Sequence, residues 1–145
     1  WLDQRNGLLL DKSYYVSLLS DCPYRYEVLF EQPFACMEEV LRAIGRQTAL
    51  LHEHGYAHKD YGRGNILFKS LPDGKVKLEV VDLNRMHLGK IGLKEGCKNF
   101  CRLPATEQMH RWMAEEYAKA RGYDAETCYE LIAAYRHADK GEEKY

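Results

Sequence analysis

Net charge is nearly absent from this sequence: 21 Lys and Arg stand against 22 Asp and Glu, a formal −1 over 145 residues. That balance removes the basic excess on which electrostatic nucleic-acid binding depends, so no nucleic-acid partner is expected. Cysteine is sparse as well. Five unevenly placed thiols are too few for a disulfide scaffold, and the odd count points to a reducing compartment. No apolar run reaches the 18 residues of a membrane span, and the start, Trp1-Leu2-Asp3-Gln4-Arg5, has no signal-peptide pattern. A soluble chain placed in the cytoplasm is the expectation. Internal repeats and low-complexity segments are missing too. Residue 1 is not Met, which suggests a piece of something longer.

What is present suffices for one compact domain, since 46% of the residues are hydrophobic. Gly7 to Leu10 and Tyr14 to Leu19, separated by Asp11-Lys12-Ser13, predict a β-hairpin. Tyr26 to Phe30 is apolar and β-prone, and Pro33 limits how far it extends. From Met37 the period changes. Met37, Val40, Leu41, Ile44, Thr48 and Leu51 recur at three- and four-residue steps up to Gly55, predicting the strongest helix of the chain. A loop with Gly55, Gly62 and Gly64 follows, then Ile66-Leu67-Phe68, a turn at Pro72-Asp73-Gly74 and a strand over Val76 to Leu83. Arg85 to Pro104 shows no clear period and is expected to be loop. Thr106 caps a predicted helix carrying Met109, Trp112, Met113, Tyr117 and Ala120 on one face. Asp124 caps another, with Cys128, Leu131, Ile132 and Tyr135, before a frayed charged tail from Asp139 to Tyr145.

The chemistry concentrates in His58-Lys59-Asp60-Tyr61-Gly62-Arg63-Gly64-Asn65, with Asp82 following 17 residues after Asn65. A loop between a helix and a hairpin can aim Asp60 and Asn65 at one point, and Asp82 at the end of the second strand can converge there. Carboxylate and amide oxygens suit Mg²⁺, a hard cation that shares its remaining positions with water and phosphate.

His58 to Asn65 resembles the protein-kinase-like catalytic loop H-R-D-L-x-x-x-N, with Lys59 for Arg and Tyr61 for Leu. Val81-Asp82-Leu83-Asn84-Arg85 stands where D-F-G belongs. The Asp-Leu-x-Arg form, paired with an H-x-D…N loop, is similar to the lipopolysaccharide core kinases that phosphorylate Kdo or heptose. The resemblance spans about residues 7–135, with its motifs within 58–86. It implies an α+β, protein-kinase-like fold with a mainly helical C-terminal lobe and a short β-hairpin remnant of the N-terminal lobe. Residues 1–22 would be the end of the small lobe and the hinge, 23–138 the large lobe, and 139–145 the charged tail.

The resemblance further implies ATP and Mg²⁺ as cofactors. Asp60 would orient and deprotonate the acceptor hydroxyl, and Asn65 and Asp82 would hold the metal. His58 and Lys59 would support the loop, Leu67 and Val81 would face the adenine, and Ser20 would lie in the hinge. Arg63 and Arg85 are candidates for acceptor or phosphate contact. Gly62, two residues after Asp60, and Gly64, just before Asn65, depart from the protein Ser/Thr and Tyr kinase patterns and shift weight to a small-molecule or glycan acceptor. A lipopolysaccharide core saccharide is the expected partner, with contact to the inner-membrane surface through an amphiphilic substrate. Upstream, the only lysine before Lys59 is Lys12, placed in the hairpin turn with no helix to supply a glutamate. The chain alone is therefore expected to transfer little phosphate.

Competing readings exist for each feature. The kinase-like domain can be a protein kinase, another small-molecule kinase or a catalytically silent binding module. His52, His54 and His58 invite zinc, yet the first two sit on different sides of a helix end. Cys97 and Cys101 are expected to be idle thiols, and Trp112 with Met109 and Met113 a core stripe. Lys90, Lys94, Lys98 and Arg102 recur every four residues, either as a solvated face or as a strip for an anionic saccharide or membrane surface.

Overall fold

The computed structural model describes residues 2–6, 8–14, 16–31 and 33–142. Two long helices form its centre. Helix α2 (Met37–Glu53) buries Val40, Leu41, Ile44, Thr48 and His52 along the face that its spacing predicts. Helix α4 (Glu107–Arg121) lies against it through Met109, Met113 and Tyr117. The two backbones approach closely at Gly45, where a Cβ would stand 2.4 Å from the Met113 carbonyl oxygen. Only glycine fits that crossing. Arg42 and Arg46 of α2 reach Glu115 and Glu116 of α4 across the solvent side of the same contact.

Helix α5 (Ala125–Glu142) packs on α4 and on the short α3 (Leu93–Lys98), with Cys128 and Ile132 fully buried. Both expected caps are in place. The Thr106 hydroxyl accepts the Met109 N–H at 3.3 Å, and the Asp124 carboxylate accepts the Thr127 N–H at 2.8 Å. Trp112 packs partly buried beside Met109 and Met113 in the expected core stripe, whereas Ala120 is exposed and Ala118 takes its place in the core. Helix α5 continues through the tail's start to Glu142, contrary to the expected fraying from Asp139; residues 143–145 lie outside the described residues.

The strands form three small antiparallel sheets. Strands β1 (Leu2–Asn6) and β2 (Leu9–Tyr14) pair with each other, so the chain reverses earlier than expected. Asp11-Lys12-Ser13 is not the turn; it lies within β2, and exposed Lys12 with it. A hairpin with a solvent face accepts polar residues, and Ser13 donates to Asp3 directly across the ladder at 2.7 Å. Gly7, expected to open the first strand, lies outside the described residues. The second expected strand, Tyr14 to Leu19, is not formed: β2 ends at Tyr14, and residues 16–20 carry no regular structure.

Strand β3 (Tyr24–Arg25) is followed by helix α1 (Val28–Glu31), which replaces the strand expected over Tyr26 to Phe30. Tyr26 still holds the sheet, its N–H donating to the Ile66 carbonyl at 2.9 Å, while its ring is fully buried and its hydroxyl donates to the Pro104 carbonyl at 2.7 Å; the chain turns into helix only beyond it. β3 borders β5 (Ile66–Ser70), which forms the expected hairpin with β6 (Val76–Val80), although that strand stops three residues short of the expected Leu83 and Leu83–Arg85 form a helical turn. The last pair, β4 (Tyr56–His58) with β7 (Met86–Leu88), was not foreseen, and with α3 it shows that 85–104 is not plain loop. The architecture is α+β, as the resemblance implies. Among the described residues no helix is long and apolar enough to cross a membrane.

Candidate active site

The loop 58–65 is fixed at its start by the β4–β7 pair. Gly55, with φ +79°, turns the chain out of α2, and its carbonyl accepts the Gly89 N–H at 2.9 Å. His58 then pairs with Met86, and the Lys59 N–H donates to the Arg85 carbonyl at 2.8 Å. The loop end is fixed by the β5–β6 register. Ile66 pairs with Val80, the Val81 N–H reaches the Asn65 carbonyl at 3.0 Å, and Asp82 is the next residue. The hairpin thereby brings Asn65 and Asp82 to the same end of one ladder.

His58 joins the two ends. Its Nδ1 accepts the Asp60 N–H at 3.1 Å, so the proton sits on Nε2, which donates to the Val81 and Asp82 carbonyls, each at 3.0 Å. The neutral Nε2–H tautomer is thus written into the backbone around it. Tyr61, where the motif has Leu, is buried, and its hydroxyl donates to Thr48 Oγ1 at 2.8 Å, since Thr48 spends its own proton on the Ile44 carbonyl. Burial pushes the Tyr61 phenol up to about 12. The loop is therefore pinned to α2 at its middle as well.

Asn65 Nδ2 donates to the Asp60 carbonyl at 2.8 Å, leaving its amide oxygen as the atom available to a cation. Asp82 is exposed and sits at φ 60°, ψ 50°, the left-handed region that few residues other than glycine occupy. Asp60 is partly exposed, and its Oδ1 accepts from Arg102 Nη1 at 3.0 Å. The two expected metal ligands, Asn65 and Asp82, offer an amide and a carboxylate oxygen, which fits Mg²⁺ rather than a soft metal.

The other expected residues fall as follows. The Lys59 backbone braces the loop, while its side chain is exposed at a cleft. The Arg85 carbonyl takes the Lys59 N–H, and both the Arg63 and Arg85 side chains are exposed. Leu67 stands opposite Glu79 on the face of the hairpin away from buried Ile66 and Phe68, and strand alternation puts Val81 in phase with it. Ser20 reaches that face too: Lys77 and the Ser20 hydroxyl hold the Glu79 carboxyl below its ordinary range. Beside it Asp21, held down to about 2 by Lys69 and Lys77, lies within 4.8 Å of Cys22 and Glu79. The two lysines already neutralise that acidic group, which makes it a poor cation site.

No histidine cluster supports zinc among the described residues. His54 is exposed, whereas His52 is buried and bonded to Tyr117 and Asn99. Cys97 is a buried thiol whose ionisation is pushed up by its hydrogen bond to Cys128 and by burial.

Two participants went unforeseen. Asn99 Nδ2 donates to the His58 carbonyl at 2.7 Å, and Arg102 meets Asp60. Both come from the stretch without period, more than 40 residues downstream, and no local pattern marks them. Arg102 had been seen only as part of a basic strip.

A family model described as the lipopolysaccharide kinase (Kdo/WaaP) family matches residues 16–126. A search among curated proteins finds no match. The matched span contains the loop, the β5–β6 hairpin and Asp82, and with most of the 145 residues covered the chain belongs to the lipopolysaccharide kinase (Kdo/WaaP) family.

Proposed function

We propose that the site transfers the γ-phosphate of ATP, with Mg²⁺, to a hydroxyl of a lipopolysaccharide core sugar, Kdo or heptose. The supporting observation is that the Asn65-to-Asp60 and Val81-to-Asn65 hydrogen bonds keep Asp60, Asn65 and the residue before Asp82 as direct neighbours. Asn65 and Asp82 would hold Mg²⁺, which when bound neutralises the charge on the phosphates. Asp60 does the proton work. Arg102 occupies its Oδ1, so Oδ2 receives the acceptor hydroxyl and takes its proton as the oxygen bonds to the γ-phosphorus and the bond to ADP breaks. The rigid loop supplies position, the main catalytic resource where no covalent intermediate is needed. Leu67, Val81 and Ser20 share the hairpin face on which the adenine would rest. In this reading the enzyme works in the cytoplasm, at the inner-membrane surface where its amphiphilic acceptor lies.

The test offers γ-labelled ATP and Mg²⁺ with core oligosaccharide and a protein acceptor side by side, using the chain itself and any longer polypeptide that carries it. The chain alone should label poorly. Where label reaches the saccharide, Asp60→Ala should lower the rate by about 10²–10⁴-fold, and Asp82→Ala and chelation of Mg²⁺ should each remove most transfer. Label on protein instead would make it a protein kinase, and ATP binding without any transfer would make it a silent module.

A further inference from the structure

We propose that the cleft beside Lys59 grips an anionic group, a carboxylate or phosphate, on the acceptor saccharide. The proposal rests on the phosphotransfer reading above. The cleft has a volume of about 470 Å³ and lies between the start of the loop, β7, α3 and the segment after it; Lys59, His87, Glu95, Lys98, Asn99 and Arg102 line it. That volume falls in the range of sites for small ligands.

Its lining carries three cations, Lys59, Lys98 and Arg102, against one carboxylate, Glu95. Among the described residues neither Lys59 nor Lys98 has a carboxylate within 4.0 Å, and Glu95 lies 3.9 Å from His87. Two ammonium groups with no ion-pair partner among the described residues raise the positive potential in this concavity. Asn99 spends its oxygen on His52 and one N–H on His58, which leaves at most one N–H for a ligand. Recognition falls mainly to the cations. Of the residues spaced four apart in sequence, Lys98 and Arg102 line the cleft while Lys90 and Lys94 do not, so the strip divides into a site and a solvated part.

Arg102 connects the cleft to the chemistry. It lines the cleft and bonds Asp60 at 3.0 Å, with 53% of its side chain exposed and 38% of that of Asp60. An anion seated against Lys59 and Lys98 therefore lies one guanidinium away from the carboxylate that receives the hydroxyl. That adjacency assigns the anion to the acceptor itself.

The test titrates the 145-residue chain, followed by proton–nitrogen correlation spectra, with free Kdo, with its carboxylate methyl ester and with inorganic phosphate. Free Kdo should shift the amides of Lys59 and of α3, added salt should weaken it, and the ester should not bind. Lys59→Gln and Lys98→Gln should each weaken binding about tenfold, and Lys94→Gln should leave it unchanged. These lysines are exposed, so unchanged α4 amides will show that the variants keep the fold. Equal binding of ester and acid, wild-type affinity in Lys98→Gln, or no response to Kdo at millimolar concentration would overturn the proposal. Phosphate binding without Kdo binding would overturn the acceptor assignment. Because no nucleotide or turnover is involved, failure here is separable from failure of the phosphotransfer reading.

Discussion

Two buried histidines do different work at the scale of single residues. His58 is held neutral by the polar backbone on both its nitrogens and ties the loop to the end of the β5–β6 hairpin. His52 is equally buried, between helices. Its Nε2–H donates to Asn99 Oδ1 at 3.0 Å, because the Asn99 amide nitrogen is already given to His58, and its Nδ1 accepts the Tyr117 hydroxyl at 2.9 Å. Burial lowers the His52 pKa from 6.5, more than the Asn99 hydrogen bond restores. A histidine buried in its neutral form binds its proton more weakly folded than unfolded. Its contribution to stability is therefore complete above about pH 6.5 and is lost as pH falls below that value toward the folded pKa. Thermal melts at pH 7.5 and pH 5 should show a lower midpoint at acid pH. Part of that drop should disappear in His52→Gln, and an identical drop in the variant would exclude His52 as its source.

At the scale of elements, what could be read depended on length. Helices α2, α4 and α5 each repeat apolar residues over several turns, and Thr106 and Asp124 announce two of their starts; the signal is redundant enough to survive a stray residue such as exposed Ala120. The Thr106 cap has one direct consequence. Thr106→Ala removes the acceptor for the Met109 N–H and should cost about 1 kcal/mol in denaturant unfolding, with Thr106→Ser close to wild type. Short elements gave no such redundancy. β4 and β7 hold three residues each, too few to show alternation, and their pairing is stated only by each other. Tyr26 to Phe30 is apolar enough for a strand, yet only Tyr26 keeps a bond to the sheet, and its hydroxyl is held by the Pro104 carbonyl, a contact 78 residues away that no local pattern displays. The candidate site stands out in the sequence at His58, Asp60, Asn65 and Asp82, because the resemblance needs only their spacing.

At the scale of the whole molecule, the loop is supported by a hydrogen-bonded chain that crosses three layers. Tyr117 of α4 donates to His52 of α2, His52 to Asn99, and Asn99 to the His58 carbonyl, over sequence separations of 65, 47 and 41 residues. Such separations are why the sequence could not display it. The chain also needs space. A Cβ at Gly96 of α3 would stand 2.0 Å from the Tyr117 hydroxyl oxygen, so glycine there is a condition of the contact. Asn99 is the link on which both sides depend. Removing its amide leaves the His58 carbonyl and the His52 Nε2–H without their partner, at a cost on the order of 1–3 kcal/mol for buried polar groups. The loss should stay local, because the α2–α4 contact rests on Gly45 and the apolar face rather than on Asn99. In Asn99→Ala, hydrogen exchange at the Lys59 and Asp60 amides should quicken, while Met113 and Tyr117 of α4 keep their wild-type protection. Exchange that rises equally in both places would mean that Asn99 holds the whole core. Unchanged exchange at Lys59 and Asp60 would mean that the β4–β7 pair and Tyr61 suffice to hold the loop.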